Sequence, residues 1–320
     1  VKHENSNQHE GSFGKIYQGN MFILLSEFDK DFISKIKQNM PTLLPENYSD
    51  IFSIKVAVKK TNDKYDNIAA HNEIENEFKM LCEIGTILQK VSQKESNIIQ
   101  NGICQFLVSQ IQKDIGRYII YPFLFGGTLS SRLQLDIDET TPDLRIRYWL
   151  LPMMETLINL HNICELAHGD LKPNNVCFGE NTTYSQPIFI DFSRCCPLNT
   201  NVYNFNLRRH DISYYVPHNF SGAFTAEMND IYGINVMTIE ILLGKLLPRT
   251  KDFNETFQKS LAMLNDSVFS INNEKTKINN FMCSIMKTVK SALNHEINLI
   301  ETYTRHKAAV VQFNTARSTK

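Results

Sequence analysis

The chain has 320 residues, of which 42% are hydrophobic and 21% are charged, and its formal net charge is −1. At roughly 100–200 residues per domain, this length predicts two domains or one large domain. The balanced charge argues against a strongly basic nucleic-acid-binding protein, and no apolar run approaches the roughly 18 residues that indicate a membrane span.

The first part of the chain is predicted to be rich in strands. A glycine-containing turn precedes a strand at residues 15–18 and a further apolar run at 21–25. Alternating β-branched residues predict a strand at 54–58, and two more strands are expected near 106–112 and 117–123. Before these two, the segment 73–88 carries apolar residues at steps of three and four, which predicts an amphipathic helix.

Beyond the pair Gly126-Gly127 the chain is predicted to be mostly helical. The segment 144–162 reads as a long helix with one apolar face. The segment 230–243 is apolar nearly all round, which is typical of a buried helix. Two or three further helices are expected between residues 253 and 311. The pattern predicts a small strand-rich half followed by a larger helical half.

The strongest chemical signal lies at residues 168–175, which read His-Gly-Asp-Leu-Lys-Pro-Asn-Asn. An apolar strand follows and ends at residues 190–193, Ile-Asp-Phe-Ser. The two motifs resemble the catalytic loop H-R-D-x-K-x-x-N and the metal-binding D-F-G of the eukaryotic protein kinase family. The alternative is a turn with incidental polar residues, but such a loop followed by a strand ending in Asp-Phe is hard to obtain by chance.

This resemblance implies a role for each polar side chain. Asp170 would accept or orient the proton of the attacking hydroxyl, and Lys172 would neutralise charge on the transferred phosphoryl group. Asn175 and Asp191 would hold Mg²⁺, or Mn²⁺, on the phosphates of ATP. A carboxylate, a cation and two oxygen ligands are the groups that this chemistry needs.

The lysine and glutamate that the family uses upstream also have counterparts. Residues 56–59 read Val-Ala-Val-Lys and resemble V-A-I-K, which implies that Lys59 reaches the ATP phosphates. Its expected ion-pair partner is Glu77 on the amphipathic helix. Glu73 and Glu75 are rivals from the same helix, and Glu77 is preferred because the apolar side chain four residues later then faces the core on the same side.

The nucleotide site is expected to combine a glycine-containing turn with the segment 121–127, Tyr-Pro-Phe-Leu-Phe-Gly-Gly, which resembles the family's hinge. The first glycine of the family's G-x-G-x-x-G falls at His9. A plain hairpin turn and ordinary core packing are the alternative interpretations of these positions. By resemblance, the residues that bind ATP are Gly11, Gly14, Ile16, Ala57, Lys59, Tyr121, Pro122, Leu124, Thr128 and Cys177.

Two downstream motifs separate protein kinases from small-molecule kinases with a similar loop. Residues 215–218, Tyr-Val-Pro-His, stand where the family has A-P-E, with His218 in place of the glutamate. Residues 230–233, Asp-Ile-Tyr-Gly, resemble the start of the family's buried helix. The resemblance implies that Asp230 holds the backbone of the catalytic loop.

Three departures from the family pattern affect the expected regulation. Gly169 replaces an arginine that, in the family, is held by a phosphate on the activation loop, so activity without that phosphorylation is expected. Ser193 replaces the D-F-G glycine, which restricts the backbone near Asp191. The segment at about 19–52 is longer than usual, and it is either a docking element for a regulatory partner or a passive loop.

The resemblance implies an α+β, bilobal protein kinase fold with an N-lobe over residues 1–121, a hinge and C-lobe over 122–320, and ATP between the lobes. The expected activity is ATP-dependent phosphorylation of serine or threonine in protein substrates, because Lys172 fits the Ser/Thr-type loop. Two alternatives stay open: a pseudokinase or scaffold with weak or no phosphotransfer, and a small-molecule kinase.

The expected location is intracellular, in the cytoplasm or the nucleus. The first fifteen residues are polar and contain no apolar stretch of the kind found in signal peptides. The 7 cysteines are irregularly spaced and include no C-x-x-C pair, so reduced buried thiols are expected rather than disulfides or a zinc site. A kinase secreted into a host cell would show the same features.

Overall fold

The computed structural model describes residues 2–3, 9–10, 14–24, 51–61, 68–106, 108–112, 116–134, 141–202, 224–247, 273–293 and 297–318. Gly11, the A-P-E-like segment 215–218 and most of the long segment predicted at 19–52 lie outside these residues. The chain divides into two compact units, one formed by Val1–Phe78 and Gln105–Phe123 and the other by Lys79–Cys104 and Leu124–Lys320.

Among the described residues, the first unit is built on one sheet of six strands in the order β1-β3-β4-β6-β5, with β2 also paired to β3. All of these pairings are antiparallel. The strands are β1 (Lys2–His3), β2 (His9–Glu10), β3 (Gly14–Leu24), β4 (Ile51–Thr61), β5 (Val108–Gln112) and β6 (Gly116–Pro122).

The strand β3 is longer than the sequence pattern predicts. The expected strand at 15–18 and the apolar run at 21–25 form one continuous strand, because every residue from Gly14 to Leu24 pairs with a residue of β4. Residues 19–24 and 51–52, which the sequence assigns to the long segment, therefore belong to this ladder. In β4 the side chains of Val56 and Val58 are buried while Lys55 is exposed, as the alternation of a strand requires.

The amphipathic helix α1 (Ile68–Leu88) crosses the division between the two units and is followed by α2 (Gln93–Gly102). The helix α2 was not expected from apolar periodicity, although its capping box was visible in the sequence. The Ser92 side chain accepts from the Glu95 backbone N–H, and the Glu95 carboxylate accepts from the Ser92 N–H. Residues 79–104 belong to the second unit, in which the Cys104 N–H donates to the Phe189 carbonyl at 2.9 Å.

The second unit is mostly helical, which together with the strand-rich first unit agrees with the expected α+β class. Its helices after α2 are α3 (Leu129–Gln134), α4 (Pro142–Arg145), α5 (Leu151–Cys164), α6 (Ala226–Leu243), α7 (Asn273–Leu293) and α8 (Leu299–Ser318). Short strands form two ladders, β7 (Leu166–Ala167) with β10 (Cys196–Pro197), and β8 (Val176–Phe178) with β9 (Pro187–Phe189).

The predicted helix at 144–162 is interrupted by a π-helical turn at Ile146–Leu150. The Leu151 N–H donates to the Ile146 carbonyl, one residue further back than in an α-helix. Pro152 explains the turn, because it has no N–H to donate and its ring crowds the preceding turn. The helix α6 is buried on nearly every side, and its N-terminus is capped by Thr225, whose hydroxyl accepts from the Met228 N–H. None of the described helices combines the length and apolar character needed to cross a membrane.

One buried polar group in α8 stands apart from this packing. The His306 side chain is fully buried, and neither of its ring nitrogens has a hydrogen-bond partner among the described residues. Burial lowers the pKa of the His306 imidazole from 6.5 to about 3. The folded state therefore holds this ring in its neutral form across the physiological range.

We expect the free energy of unfolding to fall as the pH drops from about 6.5 toward 3. In this window the unfolded chain binds a proton at His306 that the folded chain does not bind, and each unit of pKa difference corresponds to about 1.4 kcal/mol. Urea unfolding of the wild type and His306→Leu at pH 7, 6 and 5 measures this effect. The variant should lose less stability than the wild type between pH 7 and 5, and equal losses would contradict the assignment.

Candidate active site

Two of the predicted metal ligands are brought to one end of the small ladder β8–β9. Asn175 comes directly before β8, and Asp191 follows β9. The two strands are antiparallel, with Val176 opposite Phe189. The Ile190 N–H extends the ladder by donating to the Asn175 carbonyl at 3.0 Å. Because the end of one antiparallel strand lies beside the start of its partner, the two polar residues lie at the same edge.

The carboxylate of Asp170 is held by its neighbours in the loop. Its Oδ2 atom accepts hydrogen bonds from Lys172 Nζ at 2.6 Å and from Asn175 Nδ2 at 3.0 Å. Asn175 Nδ2 also donates to the Asp170 backbone carbonyl at 2.8 Å. The Asp170 side chain is 15% exposed, and that of Lys172 is 34% exposed. The carboxylate is therefore fixed in orientation and still partly open to solvent.

His168, for which no separate role was predicted, connects the loop to the strand before Asp191. The Asp170 N–H donates to His168 Nδ1 at 3.3 Å, so the ring proton resides on Nε2 and is donated to the Ile190 carbonyl at 3.0 Å. The ring is buried and lies 4.7 Å, centroid to centroid, from Phe192. These contacts fix the position of Asp170 relative to the segment that carries Asp191.

The buried carboxylate of Asp230, in α6, holds the loop from the other side. Its Oδ2 atom accepts from the His168 N–H at 2.7 Å and lies 3.0 Å from His161 Nε2, while its Oδ1 atom accepts from the Gly169 N–H at 2.9 Å. The loop approaches α6 so closely that a Cβ at Gly233 would lie 3.0 Å from the Leu171 carbonyl oxygen. Asp230 thus contacts the backbone of the loop, as the family resemblance implied, and His161 is an additional partner that the sequence did not indicate.

The donor set at this edge suits a hard divalent cation. Asn175 uses its Nδ2 atom for both hydrogen bonds to Asp170, which leaves the amide oxygen as its remaining ligand atom. Asp191 has a left-handed backbone with φ of 64°, and its Oδ1 atom accepts from the Ser193 hydroxyl at 2.7 Å. Carboxylate and amide oxygens are the ligands that Mg²⁺ and Mn²⁺ prefer. The residues present therefore fit the metal that the sequence analysis predicts.

In the first unit, Lys59 of β4 contacts Glu77 of α1. The distance from Lys59 Nζ to Glu77 Oε2 is 2.6 Å, and the Glu77 side chain is 1% exposed. Glu75 is exposed and Glu73 is half-buried, so the buried glutamate of the three is the one that the sequence favoured. The Tyr121 hydroxyl donates to Glu77 Oε1 at 2.7 Å, a contact that the sequence did not indicate. Both oxygens of Glu77 are thus engaged, which holds Lys59 in one place.

The predicted nucleotide-binding positions fall into both units. In the first unit, Ile16 is exposed and pairs with Lys59, and Ala57 pairs with Tyr121 across the ladder. Gly14 is the first residue of β3, and Pro122 is the last residue of β6.

In the second unit, Thr128 forms a bridge with Cys177, while Leu124 is half-buried. Burial raises the pKa of the Cys177 thiol to about 12, so this thiol is neutral at physiological pH. The neutral thiol suits the apolar role that the resemblance implies for Cys177.

A buried cation that the sequence analysis missed supports the segment 126–128. Arg132 donates to the carbonyls of Gly126, Thr182 and Glu180 at 3.0, 2.8 and 2.6 Å. Its guanidinium lies 3.7 Å from the centre of the Phe178 ring. Burial lowers the pKa of Arg132 to about 10, so the group keeps its charge at neutral pH. A lone arginine in α3 gave no signal in the sequence, because its partners are carbonyl groups.

Comparison with known proteins agrees with this geometry. The family model described as "Protein kinase domain" matches residues 45–308. A curated relative from Arabidopsis thaliana, the leaf rust 10 disease-resistance locus receptor-like protein kinase-like 2.3, is 29% identical over 133 residues, which cover 39% of this chain. The matched part spans 20% of that relative's length. The family match covers most of the chain and confirms the expected kinase fold.

Proposed function

The chain belongs to the protein kinase domain family, and from that premise we propose that it transfers the γ-phosphoryl group of ATP to serine or threonine hydroxyls of protein substrates. The observation that carries the proposal is the Asp170 carboxylate, held by Lys172 and Asn175 and still 15% exposed. A carboxylate held in this way orients an acceptor hydroxyl and takes its proton during transfer.

The other polar groups divide the remaining tasks. Bound Mg²⁺ or Mn²⁺ would supply neutralisation of phosphate charge, and Asn175 and Asp191 would hold it through oxygen atoms. Lys172, 34% exposed, is available to an incoming phosphoryl oxygen. Lys59, fixed by Glu77 at 2.6 Å, supplies a second cation for phosphate oxygens. Catalysis would then rest mainly on positioning and on charge neutralisation.

Three observations support the finer parts of the proposal. Lys172 stands two residues after Asp170, the pattern of Ser/Thr-type kinases, and the plant relative is named a receptor-like protein kinase. Gly169 carries no side chain that a phosphate on the activation loop would hold, so we propose that activity does not require that phosphorylation.

A scaffold with weak phosphotransfer is the second candidate, because the Ser193 hydroxyl occupies one oxygen of Asp191 at 2.7 Å. The intact set of Lys59, Glu77, Asp170 and Asn175 supports an enzyme instead. A small-molecule kinase is disfavoured by Asp230 and its contacts to the loop backbone.

The test is phosphate transfer from ATP to a positional peptide library, followed by identification of the phosphorylated amino acid. We expect phosphoserine or phosphothreonine, with equal rates before and after phosphatase treatment of the enzyme. Lys59→Met should lower kcat/KM on the order of 100-fold or more, because it removes a cation aimed at phosphate charge. Lys60→Met is the matched control, since the neighbouring residue of a strand faces the opposite side of the sheet.

Each other outcome excludes one part of the proposal. Transfer to sugars, choline or aminoglycosides instead of peptides would identify a small-molecule kinase. The absence of any transfer, or transfer that Lys59→Met leaves unchanged, would support the scaffold. Activity abolished by phosphatase would contradict independence from activation-loop phosphorylation.

A further inference from the structure

A second cation approaches the Asp170 carboxylate from the segment that follows Asp191. Arg194 is the last residue of a short 3₁₀ turn over Phe192–Arg194. The distance from its Nη1 atom to Asp170 Oδ1 is 3.7 Å. The side chains of Arg194 and Asp170 are 13% and 15% exposed, so the pair is largely shielded from solvent. Opposite charges at this separation attract each other more strongly when solvent and salt are excluded than when both groups are exposed to water.

The two oxygens of Asp170 therefore have different surroundings. Oδ2 accepts the hydrogen bonds from Lys172 and Asn175. Oδ1 lies 3.7 Å from Arg194 Nη1, which is longer than a hydrogen bond. The charge of Arg194 therefore attracts this oxygen, but Arg194 does not donate a hydrogen bond to it. A carboxylate held at both oxygens cannot rotate freely. Among the described residues no hydrogen bond is donated to Oδ1, so this is the oxygen left for an acceptor hydroxyl.

The backbone of Arg194 lies close to the catalytic loop. Gly169 has φ of +79°, and a Cβ at this residue would lie 2.3 Å from the Arg194 carbonyl oxygen. A side chain at position 169 therefore requires the backbone of Arg194 to move. This close approach holds the backbone of Arg194 beside the loop, and its guanidinium lies 3.7 Å from Asp170 Oδ1.

We propose that Arg194 is a positioning residue for phosphoryl transfer: it directs Asp170 Oδ1 toward the acceptor hydroxyl and couples this carboxylate to the segment that carries Asp191. This inference rests on the proposed function. In this role Arg194 acts through Asp170 and not on ATP directly, so its loss is expected to slow turnover and to leave nucleotide affinity almost unchanged.

The experiment compares wild type, Arg194→Met, Arg194→Lys and the control Arg147→Met, which removes an exposed arginine of the π-helical turn. We expect Arg194→Met to lower kcat about 10- to 100-fold with little change in the KM for ATP, as misplacement of a reacting group does. Arg194→Lys should recover part of the rate because it returns the charge. Unchanged kcat in Arg194→Met, or a lysine variant as slow as the methionine variant, would overturn the proposal.

A readout that does not depend on activity separates this inference from the proposed function. Urea unfolding of wild type, Arg194→Met, Asp170→Asn and the double variant gives the coupling between the two side chains. We expect the loss of Arg194 to change stability by different amounts in the two backgrounds. Additive effects would overturn the pairing whatever the activity. If the two side chains are coupled but the wild-type protein transfers no phosphate, the proposed function is refuted, and with it the catalytic role of the pair.

Discussion

Asp170→Asn is expected to reduce phosphoryl transfer by about 100- to 10,000-fold, the range for loss of a general base. The amide has nearly the shape of the carboxylate. In the wild type Lys172 and Asn175 both donate to Oδ2, and the amide oxygen of the variant can accept from both in the same place. The other terminal atom then becomes an NH₂ group at the place of Oδ1, where it cannot accept a proton from a hydroxyl. The expected result is a folded protein that binds nucleotide and transfers phosphate very slowly.

Steady-state transfer to peptide and thermal unfolding of the same samples provide the measurement. Glu301→Gln is the matched control, because Glu301 is also a carboxylate paired with a cation, Arg305 at 2.6 Å, but it lies on α8 and is 47% exposed. This control should keep the wild-type rate, since exposed pairs contribute at most about 1 kcal/mol to stability. An Asp170→Asn protein with more than a tenth of the wild-type rate would mean that another group accepts the proton.

Asp230→Ala is expected to lower the free energy of unfolding by about 3–5 kcal/mol, because it leaves several buried donors without an acceptor. The donors are the backbone N–H groups of His168 and Gly169, at 2.7 and 2.9 Å, and the His161 ring at 3.0 Å. The Asp230 side chain is fully buried, so water cannot replace these bonds without opening the packing. A loss of this size is a large part of the 5–15 kcal/mol that typically stabilises a domain.

Urea unfolding measures this change, and Glu227→Ala serves as the control on the same helix. Glu227 is exposed in the first turn of α6, so its removal should cost less than about 1 kcal/mol. Asp230→Asn keeps an amide oxygen that can accept hydrogen bonds. Its free energy of unfolding should therefore lie between those of Asp230→Ala and Glu227→Ala. If Asp230→Ala were no less stable than the Glu227 control, the loop would not depend on this carboxylate for its position.

Much of the secondary structure follows from local pattern. The alternation around Val56 and Val58 predicted β4, and the apolar steps in 73–88 predicted most of α1. The helix α2 was missed because it is short and polar on most of its surface, although Ser92 and Glu95 gave its start. The π-helical turn was missed as well, since periodicity is insensitive to one additional residue and only Pro152 indicated an interruption.

Short sequence motifs were sufficient to identify the groups proposed for the chemistry. Asp170, Lys172 and Asn175 resemble one family motif within a single loop, and Asp191 resembles another, so all four could be proposed for phosphoryl transfer before any contact was known. Helix periodicity also selected Glu77, because which side chains share a face of a helix is a local property.

The contacts between groups distant in sequence became visible only in the folded chain. Tyr121 donates to Glu77, His161 lies beside Asp230, and Arg194 faces Asp170. None of these contacts has a sequence signature, because each joins separate segments whose approach depends on how strands and helices pack. The orientation of a carboxylate and the burial of its neighbours arise from that packing, and they turn a recognisable set of residues into a site with a defined geometry.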